Sequence, residues 1–192
     1  ELCIEMWEEV RTRDPAHSDA LAQLAGFYER AREFDKLAGI LREQAAQTAD
    51  VTARVNLLVK LGLIASDKLN DDTLAVEAWR GVLALDPSQA RAQEALKKRY
   101  LAMHAWDELE AFYADSGKWD ELIRLLEAQE TKEQDKAVKI GLLLKVARLW
   151  SERKQKNDRA AKAYEKILEL ENDHLGAAEA LAPIYEQAGN HK

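Results

Sequence analysis

The residues of this chain that could do chemistry are four histidines, one cysteine and several carboxylate clusters. His17, His104, His174 and His191 lie far apart, and none has a partner at ligand spacing. A zinc site needs three or four convergent ligands, so these read as surface histidines. Cys3 falls at a place that recurs as Ala75 and Ala160. A reactive thiol needs an electropositive, accessible setting, and the expectation here is a buried packing thiol. The acids gather as Glu5, Glu8 and Glu9; Glu108 and Glu110; Glu127 and Glu130; Glu169 and Glu171. A catalytic pair needs opposed carboxyls with separated pKa values. These are neighbours along helix faces, which reads as solvated charge. Neither a glycine-rich phosphate loop nor a nucleophile elbow occurs. The sequence therefore predicts no catalysis and no cofactor.

The composition agrees with a helical globular chain. Of 192 residues, 47% are hydrophobic and 33% charged, with three prolines and eight glycines. The formal charge of −7 disfavours nucleic acid and anionic membranes, since both require a basic footprint. No apolar run approaches the roughly 18 residues of a membrane helix. A single cysteine and no visible signal peptide fit a reducing compartment, with the cytoplasm as the expectation. The chain opens at Glu1 in the middle of a repeat, so it reads as a piece of a longer protein, whose ends would hold any targeting segment.

The elements that position these residues repeat. Cys3-x3-Trp7 with Pro15 recurs as Ala75-x3-Trp79 with Pro87, and as Ala160-x3-Tyr164 with Asn172. The steps are 72 and then 85 residues. A second signature follows each: Leu24-Ala25-x2-Tyr28, Leu96-Lys97-x2-Tyr100, Leu181-Ala182-x2-Tyr185. A fixed period means stacked units, each too small to bury its own core.

Apolar residues at i, i+3, i+4 and i+7 predict about eleven helices, near 2–12, 18–31, 34–48, 51–68, 72–85, 88–102, 106–114, 119–131, 135–154, 158–170 and 174–188. Asp14-Pro15 and Asp86-Pro87 end helices, because proline disfavours helical geometry in the residue before it. Ser88 reads as an N-cap. Asp50, Asp71 and Asp158 place negative charge at helix starts, and Asp115-Ser116-Gly117 reads as a turn. Short loops make successive helices antiparallel neighbours. Phe34-Asp-Lys-Leu37 has copies at Trp106-Asp-Glu-Leu109 and Trp119-Asp-Glu-Leu122. Residues 106–118 therefore look like one inserted short helix with its turn. Repeat-specified packing accounts for Trp7, Trp79, Trp106 and Trp119; Trp150, which aligns with Ala65, is not required by the repeat.

The Leu-Ala-x2-Tyr spacing, then small-x3-aromatic and a proline eight residues on, resembles the tetratricopeptide repeat family. Lys97 and Asn172 depart from its pattern. The resemblance implies an all-α fold over residues 1–192. This would be one α-solenoid domain of antiparallel helix hairpins in a right-handed superhelix. It also implies that the first helix of each hairpin (18–31, 51–68, 88–102, 135–154, 174–188) lines a concave groove for an extended peptide or partner helix. The family's clamp for C-terminal carboxylates is not reproduced, since the equivalent positions hold Ala22 and Gly26, Val55 and Val59, Glu94 and Lys98, Glu179 and Pro183.

Helices 51–68 and 135–154 are apolar almost all round. Such a helix is sandwiched or exposes a patch. Sandwiching is the expectation; the alternative sets Val55, Val59, Ile140 and Leu144 in the groove, against a hydrophobic partner. With Arg91, Glu94 and Lys98 these are the candidate partner-binding residues. The function expected is a non-catalytic protein-interaction scaffold. The alternatives are a recruiting or regulatory part of an enzyme whose active site lies outside residues 1–192, and end-to-end self-association. Pro183, about ten residues into the last helix, removes a donor and clashes with the carbonyl of Glu179, which predicts a kink there.

Overall fold

The computed structural model describes residues 2–187 and 189. Among them the chain is all-helical, with eleven α-helices in order. They are α1 (Leu2–Arg13), α2 (Ser18–Ala31), α3 (Phe34–Gln47), α4 (Val51–Ile64), α5 (Asp72–Leu85), α6 (Ala90–Ala102), α7 (Trp106–Ser116), α8 (Trp119–Lys132), α9 (Lys136–Arg148), α10 (Asn157–Leu170) and α11 (Leu175–Gln187). The chain forms two compact units, Glu1–Trp106 and Asp107–Lys192.

In the first unit each helix packs on the next, α1 on α2 through α5 on α6. Its core gathers Leu21, Leu24, Tyr28, Leu37, Ile40, Leu41 and Leu61, with Ile4, Trp7, Phe34 and Leu57 packed around it. In the second unit α8, α9, α10 and α11 pack in sequence. Leu109, Leu122, Ile123, Leu126, Leu142, Ala147, Ala160 and Ile167 are buried there. These are the positions that the apolar periodicity selects, three and four residues apart on one face.

The two long apolar helices end in a way the periodicity does not show. After Ile64 the chain widens into a π-turn, Ala65–Leu69, and after Arg148 into another, Leu149–Arg153. Asn70, directly after the first, and Gln155, two residues after the second, take φ of 52°. Left-handed backbone reverses the chain there, and asparagine tolerates it better than most residues. Both helices start on an aspartate cap. Asp50 accepts from the Ala53 amide at 2.6 Å, and Asp135 accepts from the Ala137 and Val138 amides at 2.8 and 3.0 Å. Asp71 caps α5 through the Leu74 amide at 2.9 Å.

Three local expectations are corrected. Cys3 is exposed, because Ile4 and Trp7 take the core-facing side of α1. Ser88 does not cap α6; Asp86 accepts from its amide and hydroxyl at 3.1 and 2.7 Å, and the cap falls on Gln89. Helix α7 runs on through Ser116, and the chain turns at Gly117 with φ of 65°. Helix α11 continues on both sides of Pro183.

Candidate partner-binding faces

Residues 85 apart hold equivalent places in the two units, so the candidate faces can be compared position by position. In the first unit the candidate groove face runs over α2 and α4. Ala22 is exposed, and Gly26, Val55 and Val59 are half-buried. A Cβ built at Gly26 would meet nothing nearer than the Arg30 guanidinium at 3.9 Å, so the surface before it is open. One ion pair, Lys60 to Glu29 at 2.8 Å, ties α4 to α2. On α6, Arg91, Glu94 and Lys98 are all exposed and follow each other at helical spacing. Glu94 pairs with Lys97 at 3.4 Å. Arg99 secures α6 against α5 through Asp72 at 2.7 Å.

In the second unit the equivalent face is α7 and α9, and it is laced by charge. Lys145, the counterpart of Lys60, bonds Asp107 and reaches Glu110 at 3.6 Å; Arg148 pairs with Glu110 at 2.7 Å. The Lys145 ammonium holds the Asp107 carboxyl below the usual range, by hydrogen bond first and by charge second. Ile140 is buried and Leu144 half-buried. The structure thus places Val55, Val59, Arg91, Glu94 and Lys98 in the first unit, and Ile140 and Leu144 in the second.

The side of each unit built from the second helices of the hairpins carries clefts that sequence reasoning missed. One, about 380 Å³, lies among α3, α4 and α5 and is lined by Leu58, Leu61, Ala45, Ala78 and Gly81. Arg42 reaches across it to Glu77 at 2.7 Å. The other, about 450 Å³, lies among α8, α9 and α10. Glu127 stands there in the place of Arg42, and Lys162 in that of Glu77. Trp150 lines it, with its indole N–H given to Glu127 at 3.3 Å and the Arg159 guanidinium 4.7 Å from the ring centroid. Glu130 is 7% exposed and is held by Lys166 at 3.4 Å and Lys139 at 3.9 Å. The one sequence signal for this cleft was Trp150, the tryptophan that the repeat does not require.

A second missed feature is a hydroxyl contact repeated three times. Tyr28 donates to Glu8, Tyr185 donates to Glu165, and Arg80 donates to the Tyr100 oxygen at 2.6 Å. Each partner directly follows the helix aromatic Trp7, Tyr164 or Trp79. Burial, then the bond to Glu8, pushes the Tyr28 phenol up to about 12. Tyr185 is raised chiefly by its bond to Glu165.

The tetratricopeptide repeat profile matches residues 20–54 and 105–137. These are α2 with α3 and α7 with α8, so the repeat frame restarts at α7. There Leu109 and Tyr113 are buried and take the places of Leu24 and Tyr28. Each of these two segments therefore matches a tetratricopeptide repeat. Among solved structures, MamA is similar at 17% identity over 87% of this chain and 85% of that one, with a TM-score of 0.38. The structure of Naa15/Naa10 bound to HypK-THB is similar at 16% identity over 97% of this chain and 32% of that one, TM-score 0.45. A tetratricopeptide repeat protein from Parabacteroides merdae is similar at 15% identity over 94% and 76%, TM-score 0.38. No curated protein sequence matches the chain. No helix is long and apolar enough to cross a membrane among the described residues. Nor does any group of three or more His, Cys, Asp or Glu gather there as a metal site.

Proposed function

We propose that the chain is a non-catalytic interaction scaffold, and that a peptide or partner helix lies on the α2–α4 face of the first unit. The observation that supports this is the contrast between equivalent faces. In the first unit Ala22, Gly26, Val55 and Val59 leave an open surface of small and apolar groups. In the second, Lys145 and Arg148 tie the same face to α7. Apolar surface that the fold leaves partly exposed gains most from a partner. Arg91 and Lys98, exposed on α6, would set orientation rather than strength. Ile140 and Leu144 then belong to a weaker extension.

The test is a pull-down with wild-type bait beside Val59→Asp and Leu144→Asp, each checked for helicity by circular dichroism. The retained protein should be lost with Val59→Asp and reduced less with Leu144→Asp. Equal retention by both folded variants would sink the assignment. Self-association is a second reading, favoured by Leu2 and Met6 on α1 and Leu175 on α11, which are 72%, 62% and 75% exposed. A sedimentation coefficient independent of concentration would dismiss it.

A further inference from the structure

The two clefts share one backbone plan, yet one of them carries groups that packing does not ask for. In the first unit Ala45, Ala65 and Gly81 suffice to seat α3, α4 and α5. Their counterparts in the second unit are Glu130, Trp150 and Lys166. Burying a carboxylate costs free energy even when it is paired, and alanine serves the same position in the first unit. The backbone plan therefore requires neither Glu130 nor the indole beside it, which is 9% exposed.

Among the described residues four charged groups of the cleft lining, Glu127, Asp158, Arg159 and Lys162, form no ion pair. Glu127 accepts the Trp150 N–H, and Glu130 is held by two lysines. On the α10 wall Arg159 rests against the Trp150 ring, and an arginine stacked on an aromatic keeps its N–H edge for a second partner. Among the described residues neither Arg159 nor Lys162 forms an ion pair. They are three apart on one helix face, so both can reach one ligand. In the first unit Arg42 and Glu77 bridge the equivalent cleft; Glu127 and Lys162, in their places, do not. Glu127, Glu130 and Asp158 also line the cleft, which favours a singly charged anion over a phosphate dianion.

We propose that the α8–α9–α10 cleft binds the carboxylate of an acidic side chain on a partner protein, held between Arg159 and Lys162 with its methylenes on Trp150. On α9 the cleft is floored by Leu143 and Val146, which are 3% and 2% exposed. This face of α9 is not the one that holds Ile140 and Leu144, so the assignment stands apart from the groove.

The experiment uses the whole chain with 15N-labelled indoles, the Trp150 signal being assigned from Trp150→Phe. The probes are acetyl-Leu-Glu-Leu-amide, acetyl-Leu-Gln-Leu-amide and inorganic phosphate. The Trp150 signal should shift saturably with the glutamate peptide and at least tenfold more weakly with the glutamine peptide or phosphate. Arg159→Gln/Lys162→Gln, two exposed positions whose change should leave helicity intact, should weaken the glutamate peptide at least tenfold. The proposal is overturned by no saturable shift, by equal response to the glutamine peptide, by tighter binding of phosphate, or by an unaffected double variant.

Discussion

Helix α4 with its neighbours and helix α9 with its neighbours are the same structure written 85 residues apart, and they differ in instructive ways. Some contacts keep their chemistry and change their residues. Lys68 lies 5.7 Å from the centroid of the Phe34 ring, and Arg153 lies 5.0 Å from that of Trp119. Other contacts keep their volume. The Trp79 indole lies so close on Gly62 that a Cβ there would sit 2.6 Å from a ring carbon. The counterpart pair is Ala147 with Tyr164: one methyl more on α9, a smaller ring on α10. The cleft mouths kept neither, since Arg42 and Glu77 became Glu127 and Lys162. Interiors are packed closely enough that volume must be conserved, whereas exposed charge contributes little to stability. The comparison therefore separates what the fold requires from what it leaves free.

The most forceful way to break this comparison is Gly62→Ala. Alanine is the better helix former by roughly 1 kcal/mol, yet the new methyl collides with an indole that is 1% exposed. Overpacking costs about 1–3 kcal/mol, and a buried ring that cannot swing aside puts this case at the upper end, so with the propensity gain subtracted urea denaturation should show a net loss of about 2 kcal/mol. Adding Trp79→Tyr copies the second unit and should restore more than half of it. It also removes an indole N–H that is buried without a partner among the described residues. Strict additivity of the two changes would show that the pairs are not compensated.

A smaller effect concerns the caps. Asp50→Ala and Asp135→Ala should each cost about 1 kcal/mol, and by similar amounts, if α4 and α9 are equivalent. Thermal unfolding of the two variants checks this, and a severalfold inequality would argue against the equivalence. Glu130→Ala, which rewrites the second cleft as the first, should change stability by less than either cap.

The smallest effect lies at alkaline pH. The Tyr28 phenol is raised from its ordinary value of 10.0 to about 12, so the protonated form is favoured in the folded state. Its contribution is complete below about pH 10 and is lost as pH rises from there toward 12. Tyr164 and Tyr185 are raised as well, so ultraviolet titration should find several late-ionising tyrosines, with one fewer in Tyr28→Phe. Unchanged curves would mean that the Glu8 contact does not hold the proton.

Much of this was legible in the sequence because it rests on period and volume. The helix count, the Leu-x3-Tyr positions and the Asp50 and Asp71 helix starts follow from spacing that one chain displays. The charge-laced α7–α9 face and the two clefts did not follow. They depend on which helices lie side by side, and Lys145 and Asp107 are 38 residues apart. The π-turns left no mark, since Ala65–Leu69 and Leu149–Arg153 continue an ordinary helical pattern. Ser88 misled because a hydroxyl beside a proline turn has two uses, and Asp86 was the nearer acceptor. Cys3 misled because the repeat calls for a small residue without saying whether a neighbour covers it.

The tyrosine contact has a consequence for how such a chain can be built. A phenol hydroxyl both donates and accepts, so Tyr28 and Tyr185 meet a glutamate while Tyr100 meets an arginine. The joint between one hairpin and the next survives a reversal of sign in the preceding helix. A copied hairpin can change its surface charge without any matching change in its successor. Modules joined in this way can be duplicated first and specialised afterwards.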